Sequence, residues 1–284
     1  MMDNKIKIAF LLAATALLAA CASDTKKPTG TASIKVVHDH VAQSRHFPRY
    51  FVAPEPLPPG ERSVDDVLYS YAPYAVDQLR PHFAKAGVAY PPSELVLIGL
   101  KEERKLELWA RDKHFGEYRF IRDYDIQAAS GKTGPKLRKG DRQVPEGVYH
   151  VVRLNPNSNF HLSMKLDYPN EFDLFYANQE GRSEPGSDIF IHGNSVSAGC
   201  LAMGDAAIEE LFVLAAHVGT ENIKVVIAPH DPRVSPLDPD QPGLPAWTGE
   251  LYEEIAGEIL AVSNTDPVKV SSNHPVTPAN RGIR

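Results

Sequence analysis

The sequence predicts an α+β fold: a mostly β domain, a helical segment before it and one helix after it. Short apolar or alternating runs recur from Glu94 to Ala228, which is the pattern of strands. Helical spacing follows Ser63, and a second helical stretch runs from Trp247 to Val262. At 284 residues and 43% hydrophobic composition, the chain can bury a proper core.

Proline, glycine and small polar residues are unevenly distributed and divide the chain into five segments. Residues 22–33 are polar and indicate a tether, and the proline-rich residues 54–60 indicate a polyproline-like connector. The predicted segments are a signal peptide (1–20), a lipid-anchored tether and Pro-rich linker (21–60), a helical prefix (61–92), the main domain (93–230), and a Pro-rich linker, helix and tail (231–284).

The N-terminus has the layout of a signal peptide. Lys5 and Lys7 precede the apolar run 8–20, which is too short to span a bilayer because spanning takes roughly 20 apolar residues. The run closes on small residues and Cys21, and so resembles a bacterial lipoprotein signal. Ala22, rather than Asp, follows the cysteine. We therefore expect a lipid on Cys21 and a domain on the periplasmic face of the outer membrane; a secreted protein with a chance cysteine is the alternative.

Composition and motif spacing argue against three classes of function. The chain is acidic, with 30 Lys+Arg against 36 Asp+Glu, and lacks the basic clusters of nucleic-acid-binding proteins. Residues 131–133 (Gly-Lys-Thr) end like a phosphate-binding loop, but Ile126 stands where that motif needs its first glycine. The histidines at 38–40 and His46 fit no standard metal-ligand spacing. No cofactor or metal is predicted.

The helical prefix begins at Ser63, which has the position of an N-cap, with two aspartates in the first turn. Pro73 predicts a bend or a split in this helix. Its predicted apolar face consists of Val67, Leu68, Tyr71, Tyr74, Ala75 and Leu79, together with Gln78.

The main domain is read as a series of short strands followed by a helix. A turn at 101–104 joins the first two strands, and Asp205 is predicted to cap a helix over 206–216. The predicted strands are 95–100, 106–110, 116–121, 126–129, 147–152, 188–192 and 223–228.

Residues 192–200 carry the chemistry. With Cys21 acylated, Cys200 is the one free thiol in an oxidising compartment. His192 ends a predicted strand, and Gly193 and Gly199 allow turns that bring the thiol back to the imidazole. A cysteine nucleophile needs such a base, because its free thiol is mostly protonated at neutral pH. Backbone N–H groups at Gly199 and Cys200 are candidate oxyanion donors. The alternative is that Cys200 is a small core residue.

The motif His192-Gly193, then Ser197-x-Gly199-Cys200, resembles the active-site signature of the L,D-transpeptidase family, with its YkuD-type catalytic domain. The similarity covers about residues 94–230. It includes the segments 131–136, 140–141, 144–149, 155–156, 161–163 and 167–170.

The resemblance implies a mostly β L,D-transpeptidase-type catalytic domain that acts on peptidoglycan stem peptides, and hence a role in cell-wall organisation and cell shape. Cys200 would attack the peptide bond after the diamino acid of a stem tetrapeptide, His192 would act as base and then acid, and D-alanine would leave. The group that orients His192 stays open between a backbone carbonyl and Asp188. Substrate-binding or oxyanion roles are expected for Gly193, Ser197, Gly199, Ser163 and Tyr168.

Two departures from the family pattern leave the acceptor open. The spacing from His192 to Cys200 is short, and Ala202 stands where many members have arginine. Both features resemble the YafK/ErfK-like branch, which includes an amidase that releases the outer-membrane lipoprotein from peptidoglycan. An amine acceptor gives crosslinking or protein attachment, and water gives hydrolysis. A non-catalytic wall-binding lipoprotein and a cysteine protease of ordinary proteins are the weaker alternatives.

Overall fold

The computed structural model describes residues 58, 60–113 and 116–263. The signal peptide, Cys21, the tether, most of the Pro-rich linker and the C-terminal tail lie outside the described residues. The helices are α1 (Val64–Ala86), α2 (Glu171–Gln179), α3 (Asp205–Val218) and α4 (Thr248–Ser263). The strands are β1 (Glu94–Leu100), β2 (Lys105–Arg111), β3 (Arg119–Asp125), β4 (Ala128–Ala129), β5 (Gly147–Ser158), β6 (His161–Leu166), β7 (Phe190–His192), β8 (Leu201–Ala202) and β9 (Ile223–Ala228).

The strands of the described residues form one sheet in the order β3-β2-β1-β9-β5-β6-β7-β8-β4. The pairs β1–β9 and β7–β8 are parallel, and the other neighbours are antiparallel. The predicted α+β class is confirmed. Strand β7, which ends at His192, and strand β8, which Cys200 immediately precedes, lie side by side in this sheet.

Strand β1 is apolar throughout because both faces of the sheet are covered there. Leu95 and Leu97 pack into the core cluster that includes residues of α1 and α3. Val96 and Ile98 point the other way and pack in a second cluster with residues of α4. Since side chains alternate between the faces of a strand, a strand buried on both faces reads as a continuous apolar run.

Helix α1 begins as the sequence predicts. Ser63 is its N-cap, and the side chains of Ser63 and Asp66 bond reciprocally to each other's backbone N–H in a capping box. Gly87 ends the helix with a positive φ of 70°. The helix is continuous through Pro73 and is not split there. The bend, which was the other predicted effect of Pro73, stays a prediction. Tyr74, placed on the apolar face, is exposed.

Helix α4 is tied to the sheet by a buried polar network. Lys101 Nζ and Glu146 Oε1 form an ion pair of 2.8 Å, and Tyr252 of α4 donates to Glu146 Oε2 at 2.9 Å. Lys101 Nζ also donates to the carbonyl oxygens of Lys132 and Val144. The network therefore joins the end of β1, the 130–146 loop and α4.

Several boundaries differ from the sequence predictions. The strand expected at 116–121 begins at Arg119, the one at 126–129 is reduced to Ala128–Ala129, and the one at 188–192 begins at Phe190. Strands β6 and β8 and helix α2 were not predicted. None of the helices in the described residues combines the length and apolar composition that crossing a bilayer requires.

Candidate active site

His192 is the last residue of β7 and lies between β6 and β8. Its register partners are Ser163 on β6 and Ala202 on β8. The residue is only 2% exposed, so its imidazole is held within the sheet rather than on a loop. This position fixes the backbone that carries the imidazole.

The carbonyl oxygen of Gly193 orients the His192 ring, accepting from Nδ1 at 2.6 Å. A carbonyl oxygen only accepts, so Nδ1 carries the proton and Nε2 is left with its lone pair. Asp188, the other candidate for orienting His192, does not do so: its carboxylate is bonded to Lys165 and Ser187 instead. The tautomer is therefore the one a general base needs.

Burial lowers the pKa of His192, and the hydrogen bond to Gly193 opposes this in part. The imidazole is neutral at neutral pH as a result. A neutral imidazole with a free Nε2 accepts a proton from a thiol.

Phe160 packs on the imidazole of His192. The ring centroids of Phe160 and His192 are 4.6 Å apart with an interplanar angle of 31°. Phe160 lies in the β5–β6 turn and is 41% exposed, so it also presents an apolar surface at the site. An aromatic residue in a turn carries no chemical signature, and no signal in a single sequence identifies this contact.

Cys200 immediately precedes β8 and is partly buried. Since Ala202 pairs with His192 in parallel register, strand alternation places the Cys200 side chain, two residues earlier, on the same face as His192. The Cys200 thiol donates to the carbonyl oxygen of Asp188, with Sγ 3.9 Å from that oxygen. The backbone N–H of Phe190 also faces the sulfur.

Burial raises the pKa of the Cys200 thiol. The N–H of Phe190 and the positive charge of Lys136 oppose this rise, and the negative charge of Asp188 adds to it. The resting thiol is therefore protonated at neutral pH, and it depends on a base for activation.

The loop that follows His192 is fixed at both of its ends. A side chain at Gly193 would place its Cβ 2.7 Å from both Asp205 Oδ1 and the Phe160 carbonyl oxygen, so only glycine fits. Asp205 Oδ1 accepts from the backbone N–H of Asn194 at 2.7 Å. The prediction that Asp205 caps α3 is wrong. The N-cap is Gly204, which makes no side-chain cap bond.

Ser197 organises the backbone before the thiol. Its hydroxyl donates to the Cys200 carbonyl oxygen at 2.7 Å and accepts from the N–H groups of Gly199 and Cys200 at 3.4 and 3.3 Å. Both predicted oxyanion donors are therefore directed at Ser197 in this structure. Gly199 has a φ of 118°, which favours glycine.

The 130–146 loop packs against this turn. Ser130 contacts the Ser197 hydroxyl, and the Gln143 side chain bonds both the N–H and the carbonyl of Lys132. Lys136 is buried and paired with Asp141. The loop thus supports Ser197 and brings a cation near the thiol.

Two predicted substrate contacts are buried. Ser163 is 1% exposed and lies beside His192, while Tyr168 is 3% exposed. The Tyr168 hydroxyl donates to the carbonyl oxygens of Pro185 and Lys136. Through these bonds Tyr168 joins the segments that contain Lys136 and Pro185.

Comparison with known proteins identifies the domain that contains this site. Residues 93–227 match the family model of YkuD, the L,D-transpeptidase catalytic domain. The chain is 38% identical over 135 residues to the Escherichia coli (strain K12) protein "Putative L,D-transpeptidase YafK", covering 45% of this chain and 51% of that protein. The resemblance to the L,D-transpeptidase family is thus confirmed for this part of the chain. The chain spans about half the length of the curated relatives it matches.

Two solved structures show weaker likeness. Bdellovibrio bacteriovorus Bd1075 is 25% identical with a TM-score of 0.35, over 50% of each chain. The helical cell shape determining protein Pgp2 from Campylobacter jejuni is 19% identical with a TM-score of 0.40, over 55% of this chain and 56% of that chain.

Proposed function

We propose that this chain is a peptidoglycan L,D-transpeptidase in which Cys200 is the nucleophile and His192 its general base. The observation that carries the proposal is the bond from His192 Nδ1 to the Gly193 carbonyl oxygen. That bond leaves Nε2 basic on the same sheet face as the thiol, inside a domain whose family acts on peptidoglycan stem peptides.

In the proposed first half-reaction, His192 Nε2 takes the proton of Cys200 as sulfur attacks the carbonyl carbon of the diamino acid, in its peptide bond to the terminal D-alanine. The carbon–nitrogen bond breaks, and His192 returns the proton to the leaving D-alanine amine. A thioester remains on Cys200. In the second half-reaction an amine attacks the thioester carbonyl carbon as His192 takes one of the amine protons. The carbon–sulfur bond then breaks, and His192 returns that proton to the sulfur, which restores the thiol.

The alternative is a YafK-like amidase of the same chemistry, in which water takes the place of the amine. The structure bears on this at Ala202, which is fully buried and pairs with His192. No charged side chain stands at this position, where many family members have arginine.

We further propose that the domain works in the periplasm as an outer-membrane lipoprotein anchored through Cys21. This extends the sequence prediction; Cys21 lies outside the described residues. Anchoring would place the site near the sacculus, where stem peptides and peptidoglycan-linked lipoprotein are both available.

The test uses the chain lacking residues 1–21 and its Cys200→Ala variant. Each is incubated with purified disaccharide-tetrapeptide and, separately, with sacculi bearing covalently linked lipoprotein, and products are followed by mass spectrometry. We expect dimers lacking one D-alanine from the unmodified chain alone, because the thioester requires the sulfur.

Other products give different answers. Bare tripeptide or released lipoprotein without dimers would establish the amidase alternative. Equal, inert results from the two variants would overturn both enzymatic proposals and favour a wall-binding lipoprotein.

A further inference from the structure

Ser163 presents a buried hydroxyl with no hydrogen-bond partner among the described residues. The residue is 1% exposed and lies on β6. Buried hydroxyl groups are nearly always bonded, and one left unpaired costs stability. A sheet position that retains such a group therefore needs an explanation.

The register of the sheet places this hydroxyl against the proposed base. Ser163 pairs with His192 in antiparallel register, and the neighbouring pair is hydrogen-bonded, since Gly193 N donates to the Leu162 carbonyl at 3.1 Å. Hydrogen-bonded and non-hydrogen-bonded pairs alternate along such a ladder. Ser163 and His192 are thus a non-hydrogen-bonded pair, the kind whose side chains approach more closely and share a face.

The other neighbours of Ser163 do not provide a hydrogen-bond partner for its hydroxyl, because they are bonded to other groups. On the opposite side its partner is Asn155 of β5, whose Oδ1 accepts from the N–H of Asn157. Lys165, on the same face of β6, is paired with Asp188. The imidazole of His192 is the titratable group that Ser163 faces directly.

We propose that Ser163 is a positioning residue for His192, whose hydroxyl oxygen stabilises the imidazolium that forms when His192 takes the Cys200 proton. The inference rests on the proposed role of His192 as base. Before proton transfer the hydroxyl lacks a partner, and after transfer it lies beside a new positive charge in a buried site. Electrostatic interactions are strong there because little water screens them.

Several other charged and titratable groups surround His192, and their effect on its pKa must stay constant when Ser163 is changed. The Cys200 thiol lies on the β8 side, and the Asp205 carboxylate of α3 is bonded to the Asn194 N–H. The Lys165–Asp188 and His161–Glu209 pairs lie on the β6 side. None of these groups is altered by a substitution at Ser163.

The test compares Ser163→Thr with Ser163→Val in the full chain carrying Cys21→Ser. Threonine and valine have nearly the same shape and differ in the hydroxyl. We expect the His192 imidazole, followed by NMR, to titrate at lower pH in the valine variant than in the threonine variant. Iodoacetamide modification of Cys200 at neutral pH should be slower in the valine variant by about threefold to tenfold, the net worth of one typical intramolecular hydrogen bond.

Ser163→Ala is included because the variants with the larger threonine and valine side chains could fail to fold. Because the hydroxyl is unpaired before proton transfer, we expect Ser163→Ala to unfold at the same temperature as the unmodified chain or higher, while showing the same slower modification. Thr248→Val is the matched control, since Thr248 also has a buried, unpartnered hydroxyl, on α4. It should change neither the titration nor the modification rate.

Equal titration and modification in the threonine and valine variants would overturn the proposal. A loss of thermal stability in Ser163→Ala without any change at His192 would also overturn it, in favour of a packing role. Both measurements need no peptidoglycan, so their result is independent of whether D-alanine release is observed.

Discussion

At the scale of single residues, the site holds a thiol and an imidazole that are both uncharged near neutral pH. Burial raises the pKa of Cys200 and lowers the pKa of His192. Each shift disfavours a thiolate–imidazolium ion pair at rest. In the proposed reaction, sulfur therefore becomes a nucleophile only as its proton moves to Nε2. The rate of Cys200 modification should therefore go on rising with pH to higher pH values than the rate for an ordinary cysteine does.

Asp188 offers a direct test of this electrostatic picture. Burial is the main cause of the raised Cys200 pKa, and the Asp188 charge adds to it. Asp188→Asn should lower that pKa and speed iodoacetamide modification at neutral pH roughly twofold, the scale of one exposed charge. Asparagine tolerates the positive φ of 58° at this position.

The measurement is the pH profile of modification in a Cys21→Ser background. Glu171→Gln, which removes an exposed carboxylate on α2, is the control and should leave the profile unchanged. Slower modification in Asp188→Asn would contradict the assigned sign of its charge effect.

At the scale of elements, the strands with strong apolar patterns were predictable and the short ones were not. Strands β1 and β9 are recognisable as continuous apolar runs because both of their faces are buried. Strand β8 has two residues, too few for any period, and is held by its neighbours β7 and β4. Helix α2 carries one signal in the sequence, the capping box from Asn170 to Asp173.

The site divides in the same way. His192 and Cys200 stand out because their side chains carry chemistry, and glycines flank the loop between them. The orienting group is a backbone carbonyl, which any residue supplies, so no sequence pattern identifies it. The burial of the Tyr168 hydroxyl against two loop carbonyls depends on the tertiary fold, so the sequence did not predict it.

The end of β5 and the β5–β6 turn link the helical prefix to the site, and Asn157, near the end of β5, makes the link. Its Oδ1 accepts from the N–H groups of Gly60 and Arg62, and its Nδ2 donates to the Arg62 carbonyl. Phe160 of the same turn packs on His192. Asn157→Ala should destabilise the fold by about 1–3 kcal/mol, since several backbone groups lose partners.

The change should appear first as faster proteolysis near residues 58–63, before global unfolding. Asn159→Ala is the matched control, because Asn159 is exposed in the same turn. Equal proteolysis of the two variants would show that Asn157 does not hold the start of the prefix.

At the scale of the whole molecule, the Lys101–Glu146–Tyr252 network connects the central sheet, the 130–146 loop and α4. The side chains of Lys101 and Glu146 are 8% and 0% exposed. Removing one partner of a buried ion pair leaves the other charge uncompensated. Glu146→Gln should therefore lower the free energy of unfolding by about 3–5 kcal/mol, more than the ~1 kcal/mol expected for Tyr252→Phe.

The pH dependence of this loss follows from Lys101. Burial lowers its pKa in the folded chain, and Glu146 opposes that effect, so Glu146→Gln lowers the pKa further. Because the unfolded chain then holds the lysine proton to higher pH than the folded chain, stability rises with pH across that interval. In urea unfolding, the deficit of Glu146→Gln should shrink in alkaline buffer. The double variant Lys101→Met/Glu146→Leu should show no such recovery, because no buried charge remains. A deficit in Glu146→Gln that is constant with pH would mean that the lost hydrogen bonds, rather than the stranded lysine charge, account for the destabilisation.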